Sequence, residues 1–321
     1  MFYFIAFLTA FGLTYFVRQF ALKKSLLAEV NARSSHTTPT PHGGGVAIAL
    51  TWFAGLGCLY MYDHIAPSLF FALLWGVLLC GVSFLDDLID LKPRIRLGVQ
   101  VVVALGGLFS LGGFHTLTLG FLDISNPLFT TLFALLLILW YINLYNFLDG
   151  IDGYAGSQGI FLGLAGLILF GGAHFGLLAV CILGFLVWNW HKAKIFMGDV
   201  GSTLLGYNVA IITLHYATLE SSNLWVWIAL FGLFWADATV TLLRRFLRKE
   251  KLSQAHKKHA YQRLVQAGWR HDSVALGGMG VNVLLLGMAV FFPLWVSVTC
   301  SLLSLGLVLV FVEKQKRFAS C

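Results

Sequence analysis

The stretch Pro127-Leu-Phe-Thr-Thr-Leu-Phe-Ala-Leu-Leu-Leu-Ile-Leu-Trp-Tyr-Ile-Asn-Leu-Tyr-Asn-Phe-Leu-Asp-Gly-Ile-Asp-Gly153 decides the fold. Up to residue 142 it is uncharged and almost wholly apolar, close to the ~20 residues a helix needs to cross the hydrocarbon core. It then turns abruptly polar, with two asparagines and two aspartates. Outward from it the same rhythm recurs. Apolar segments lie at 2–17, 43–62, 68–85, 97–114, 127–143, 157–172, 174–190, 203–219, 224–243, 274–292 and 294–312. The break between the last two rests on Pro293 and on a run about twice one span in length. Composition agrees: 59% of residues are hydrophobic, 11% are charged and the mean hydropathy is +0.84. Soluble domains carry roughly 45–50% and about 25%, so a soluble enzyme and a disordered chain are both excluded. The expected fold is an all-α polytopic membrane protein of about eleven transmembrane helices. It forms one domain over 1–321, with 244–273 as its large loop. The alternating stretch 115–124 reads as a small hairpin outside the membrane.

Charge gives the direction of threading. All 21 Lys and Arg residues fall in alternate loops: Arg18 to Arg33, Lys92 to Arg96, Lys192 and Lys194, Arg244 to Arg270, and the tail from Lys314. Loops near Asp63, Asp123 and Glu220 hold none. Positive loops stay cytoplasmic, which puts the amino terminus outside and the carboxyl terminus inside. The basic excess is therefore topogenic, and nucleic acid is not an expected partner. Segment 2–17 lacks a basic leader and a small-residue cleavage site and is read as a span rather than a signal peptide. The cysteines (58, 80, 181, 300, 321) have no paired spacing and read as packing residues.

Acids at the edge of hydrocarbon are functional candidates, and six lie at inner span ends: Asp86, Asp87, Asp90, Asp149, Asp152 and Asp199. On a continuing helix Asp86 and Asp90 share a face. The adjacent carboxylates of Asp86 and Asp87 repel unless a cation neutralises them, and magnesium does so with one or two carboxylates plus phosphates. Asn143 and Asn146 are one turn apart, as are Asp149 and Asp152, and their amides and carboxylates suit a nucleobase or sugar. Asp199 stands between glycines in Phe196-Met-Gly-Asp-Val-Gly-Ser202, with Ser202 as a candidate cap for the next helix. In His256-Lys-Lys-His-Ala-Tyr-Gln-Arg263 the two histidines can share a helix face. No further Cys or His supports a zinc site there, and the surrounding cations suit phosphate. Taken singly, each cluster also has a plain reading as a solvated helix end, a cap or a basic surface helix.

Taken together, Pro39-Thr40 with Gly43-Gly44-Gly45, Asp86-Asp87, Asn143…Asn146…Asp149-Gly150…Asp152-Gly153, Phe196–Ser202 and the late His loop resemble the polyprenyl-phosphate N-acetylhexosaminyl-1-phosphate transferases, over most of the chain. The resemblance implies transfer of N-acetylhexosamine-1-phosphate from a UDP-N-acetylhexosamine to undecaprenyl phosphate, with release of UMP, at the cytoplasmic face of a bacterial inner membrane. It implies magnesium as cofactor, with manganese as the alternative. It assigns the metal to Asp199, the deprotonation of lipid phosphate to Asp86 with Asp87 beside it, and uracil stacking to Phe196. The nucleotide pocket falls to Asn146, Asp149 and Asp152, with Asn143 beside them, and the phosphates and sugar to His256 and His259. Lys92 joins these as a phosphate-binding candidate. The His-Lys-Lys-His loop departs from the contiguous histidines of the phospho-MurNAc-pentapeptide translocase, and so favours the O-antigen-initiating branch. His42 stands where that branch has Arg, and it receives no substrate contact. Membrane lipid is an expected partner, and a homodimer stays open. The competing class is a secondary transporter, whose ion-binding acids belong near mid-membrane on broken helices.

Overall fold

The computed structural model describes residues 1–24, 27–28, 39–89, 91–252, 254 and 256–320. The proposed face shared by Asp86 and Asp90, the basic Arg33 and the cysteine at 321 therefore involve positions outside the described residues. Fourteen α-helices run through them: α1 Phe2–Lys23, α2 Gly45–Met61, α3 Pro67–Leu74, α4 Gly76–Ile89, α5 Pro93–Ser110, α6 Pro127–Phe147, α7 Tyr154–Phe170, α8 Ala173–Asn189, α9 Gly198–Leu219, α10 Asn223–Leu230, α11 Gly232–Leu247, α12 Ala260–Gln266, α13 His271–Phe291 and α14 Leu294–Gln315. Strands β1 (Leu27–Ala28) and β2 (Thr40–Pro41) pair antiparallel, as do β3 (Leu117–Thr118) and β4 (Asp123–Ile124). The second pair is the hairpin expected at 115–124.

Each of the eleven apolar segments falls on a helix or on two consecutive helices. Five are long and apolar enough to cross a membrane: α1, α3 with α4, α6, α13 and α14. A sixth, α10 with α11, meets the same measure but bends by 73° at its break. Proline opens several helices where its fixed φ is suited and its missing N–H costs nothing. Pro67, Pro93 and Pro127 each begin one, and Asn126 caps α6 by accepting from the Phe129 N–H at 3.1 Å. Pro293 separates α13 from α14 as its sequence position suggests.

The core is organised around α9, which packs on α2, α3, α4, α6 and α10. Almost every residue from Val200 to Leu214 on it is buried. A helix buried on all sides has no lipid-facing stripe to keep apolar, and α9 accordingly carries buried Asn208, Thr213 and His215. Its close approach to α2 requires glycine on both sides. A Cβ at Gly45 would overlap the Gly201 backbone, and one at Gly206 would overlap the Tyr141 carbonyl of α6. Small residues at such crossings are what lets helices pack in membranes. The arrangement brings the ends of α4, α6 and α8 to the same end of the bundle as the beginnings of α5, α7 and α9.

Candidate active site

Four chain regions meet at that end. Asp86 lies in the last turn of α4 and is buried. Its carboxylate accepts from Arg96 Nη1 at 2.7 Å and from the Leu91 N–H at 2.7 Å. Arg96, one turn into α5, also reaches Asp199 Oδ2 at 3.7 Å. Asp199 stands in the first turn of α9, where the helix dipole favours an anion. Its backbone N–H points at Asp87 Oδ1 at 3.4 Å, and its Oδ1 accepts from Asn146 Nδ2 at 2.9 Å. The same amide donates to Ser202 Oγ at 2.9 Å. Gly198 has φ of +76°, and a Cβ there would stand 3.0 Å from Asp87 Oδ2, so glycine clears the space between the two acids. Asn143 donates to Gln100 Oε1 at 2.8 Å and, with Asp86, Arg96, Asn146 and Asp199, lines a cavity of about 280 Å³.

The electrostatics are those of crowded acids. Loss of water pushes the Asp149 carboxyl well above the ordinary range, and the neighbouring Asp199 and Asp87 carboxylates push it further. Asp199 is also raised, by desolvation first and by Asp86, against the lowering pull of Asn146 and Arg96. Among the described residues, the buried Asp87 Oδ2 has no hydrogen-bond partner. An orphaned carboxylate oxygen facing two further carboxylates fits a divalent cation, and an all-oxygen donor set suits magnesium or manganese over softer ions. Asp199, Asp87 and Asp86 are the residues that would hold it.

Two flanking loops complete the site. Backbone bonds from Gly44 N–H to Phe196 O (2.9 Å), Gly45 N–H to Met197 O (2.8 Å) and Phe196 N–H to Pro41 O (2.8 Å) stitch the Pro39–Gly45 motif to the Phe196–Ser202 motif. His42 rides on this seam. Burial lowers its pKa, and Asp199 is close enough to oppose that shift. On the other side, Tyr261 Oη donates to the Phe147 carbonyl at 3.1 Å, the His259 ring stacks near Phe147, and Tyr261 packs against Gly150.

Several local expectations are corrected. His256 and His259 do not share a helix face, because α12 begins only at Ala260 with His259 at its N-cap. The buried Asp237 takes up the exposed helix donors instead, accepting from Ala260 N–H (2.7 Å), Tyr261 N–H (3.2 Å) and lying 3.3 Å from His259 Nδ1. The two imidazoles still lie 4.9 Å apart between centroids. His256 has its pKa lowered to about 4, by burial first and then by His259 and nearby cations, so it is neutral at pH 7. Asp149 and Asp152 are not on a helical turn, since α6 stops at Phe147 and α7 starts at Tyr154. Asp149 faces the acids, whereas the Asp152 carboxylate turns away to His191 and His271. Ser202 does not cap α9. It lies one turn inside, its hydroxyl donating to Gly198 O at 3.1 Å. Lys92 sits exposed at the N-cap of α5. Gln100, His191 and His271 were not singled out from sequence. Only Gln100 left a signal, the i, i+4 spacing from Arg96 on one face of α5.

A profile described as Glycosyl transferase family 4 matches residues 69–217, which contain every acid of the cluster. An undecaprenyl-phosphate alpha-N-acetylglucosaminyl 1-phosphate transferase of Thermotoga maritima is 30% identical over 256 residues, covering 78% of this chain and 77% of that protein. The chain belongs to the polyprenyl-phosphate N-acetylhexosaminyl-1-phosphate transferases. Similarity to other such transferases is as broad. A probable undecaprenyl-phosphate N-acetylglucosaminyl 1-phosphate transferase of Bacillus subtilis is 29% identical over 285 residues (83% of this chain, 77% of that protein). A Salmonella typhi undecaprenyl-phosphate alpha-N-acetylglucosaminyl 1-phosphate transferase is 27% identical over 323 residues (90% and 84%). Membership and the apolar helices together make this chain a multi-pass membrane phosphosugar transferase.

Proposed function

We propose that this transferase moves N-acetylhexosamine-1-phosphate from a UDP-sugar to undecaprenyl phosphate at the cytoplasmic face of the bacterial inner membrane, releasing UMP and starting an O-antigen or related envelope polysaccharide. The observation that carries the reading is the meeting of Asp86, Asp87, Asn146 and Asp199, drawn from three separate inner-end regions, beside one open cavity. Relatives whose names specify N-acetylglucosamine favour that hexosamine as donor.

In the reaction an oxygen of the lipid phosphate attacks the sugar-bearing phosphorus. A new P–O–P linkage forms, the diphosphate P–O bond breaks, and UMP departs with the electron pair. A phosphate anion is already a competent nucleophile, so the protein supplies mainly positioning and charge neutralisation. A bound divalent cation would neutralise the diphosphate and the leaving UMP. Asp86, fixed by Arg96 and the Leu91 N–H, faces the cavity where the lipid phosphate has to arrive and can take its proton. Arg96 bridges Asp86 and Asp199 and offers its remaining donors to phosphate. Asn143, Asn146, Asp149 and Asp152 serve the nucleotide-sugar side, Phe196 stacks on uracil, and Asp152 also accepts from the Ala193 N–H in the loop that carries Phe196. His256, neutral at pH 7, gives phosphate or sugar a hydrogen bond rather than a charge. His259 acts through the Asp237-anchored start of α12, and Lys92 guards the exposed rim.

The test is direct. Purified protein is incubated with undecaprenyl phosphate, magnesium and a panel of UDP-sugars, including UDP-N-acetylglucosamine and the muramyl-pentapeptide nucleotide, and the lipid product is identified by mass. Undecaprenyl-diphospho-N-acetylhexosamine with matching UMP is the expected result. A muramyl product would move the chain to the translocase branch, and no lipid product with any UDP-sugar would overturn the reading.

A further inference from the structure

A second cluster lies where the stretch after α14 folds back on the large inner loop. Glu313, in the last turn of α14, accepts through Oε2 from Arg244 Nη1 at 2.7 Å and from Arg263 Nη1 at 2.7 Å. Its Oε1 accepts from the Phe318 N–H at 3.0 Å, and Arg263 Nη1 also reaches the Lys316 carbonyl at 3.0 Å. Arg263 is buried on α12, and removing the partner of a buried charge is strongly destabilising. The contacts fasten α12 to the end of α14.

Phe318 closes the cluster. Its side chain is buried, and among the described residues four cations face its ring: Arg248 at 4.8 Å from the centroid, Lys258 at 5.4 Å, Arg244 at 5.5 Å and Arg263 at 5.6 Å. They come from the last turn of α11, the residue after it, the loop before α12 and α12 itself. Like charges gathered this closely repel, and the negative face of the ring offsets that repulsion together with Glu313.

Lys258 is the joint with the chemistry. Its Nζ donates to Glu250 Oε1 at 2.8 Å, and Glu250 Oε2 accepts from the buried Arg245 Nε at 3.0 Å. Arg245 Nη2 further donates to the Lys251 and Gln254 carbonyls at 2.6 and 2.9 Å, so the chain before His256 closes on one guanidinium. The Lys258 N–H donates to His256 Nδ1 at 3.1 Å. A neutral imidazole that accepts at Nδ1 carries its proton on Nε2. His256 is therefore held as an Nε2–H donor.

We propose that Phe318 is a positioning residue for the transferase. With Glu313 it gathers the cations of α11, α12 and the loop between them, and so holds His256 as an Nε2–H donor for the phosphates or sugar. Its part in the reaction rests on His256 contacting substrate; its part in holding the loop does not.

The experiment uses full-length protein in detergent. It reads hydrogen exchange over residues 249–266 beside steady-state kinetics with UDP-N-acetylglucosamine and undecaprenyl phosphate. Phe318→Ala should speed exchange in that segment and leave α9 unchanged. It should lower kcat/KM for the UDP-sugar about 10–100-fold, the upper figure being the cost of misplacing a group by about an ångström. On a His256→Ala background the same change should add less than about twofold, because residues that act as a unit are not additive. Phe318→Leu keeps an apolar side chain without a ring face and guards against a folding defect. It should keep the wild-type elution profile and melting point yet still speed exchange. Wild-type exchange in either variant would overturn the clamp. An undiminished loss on the His256→Ala background would overturn its link to His256. Full activity in His256→Ala would overturn the positioning role by removing its target, while faster exchange in Phe318→Ala would still establish the clamp.

Discussion

Two carboxylate corners sit on either side of the Phe196 loop, and they differ in what surrounds the acid. At Asp199 the neighbours are Asp86, Asp87 and Asp149, with Arg96 and Asn146 as the nearest donors. At Asp152 they are two imidazoles. The first corner concentrates negative charge with one arginine to offset it and adjoins an open cavity, which is the condition for recruiting a hard cation together with phosphates. The second pairs one acid with two imidazoles, with the acid buried and His191 half-buried. Carboxylates three residues apart in sequence, Asp149 and Asp152, thus face different neighbours because α6 stops before either of them.

The largest expected effect tests the first corner. Asp199→Asn should cut UMP release by about a thousandfold or more while elution and helical content stay at wild-type values. Activity within tenfold of wild type would remove Asp199 from the metal role. Asp86→Asn should come next, lowering kcat by about 100-fold with little change in UDP-sugar affinity. A loss explained wholly by weaker binding would show that Asp86 does not act in the transition state. Phe196→Ala should weaken UDP binding by about tenfold or more, the value of one base-aromatic stack, with kcat nearly unchanged. An unchanged affinity would detach the loop between the corners from nucleotide recognition. The smallest effect concerns protons. Because Asp149 and Asp199 are raised, a cation that binds beside them favours their charged forms and expels protons they hold. Magnesium affinity should therefore rise with pH, with net proton release in calorimetry run in two buffers of different ionisation enthalpy. Asp149→Asn should reduce that release, and an unaltered value would place the released protons elsewhere.

Much of this was legible from residues alone. Hydropathy marks the helices, Pro293 marks the last break, and the alternation at 115–124 marks the hairpin. The acids of the first corner stand out because charge at a span end is costly. What escaped has a common physical cause, which is that it depends on partners distant in the chain. Nothing near Phe231 announces the 73° bend, which has no proline. Gly232 allows close packing against Leu305 of α14, which a Cβ would meet at 2.6 Å. The start of α12 is set by Asp237, 23 residues earlier. His271 reaches Asp152 across 119 residues, and no local pattern links them.

The central claim is that distant inner-end turns gather one cation and a nucleotide-sugar at the Asp199 corner. Pulsed electron–nuclear double resonance on manganese-loaded protein with UDP-N-acetylglucosamine tests it most directly. Phosphorus-31 coupling to manganese that appears with the nucleotide and is lost in Asp199→Asn is the predicted result. Manganese that couples to nitrogen-14 and shows no phosphorus coupling would contradict the account.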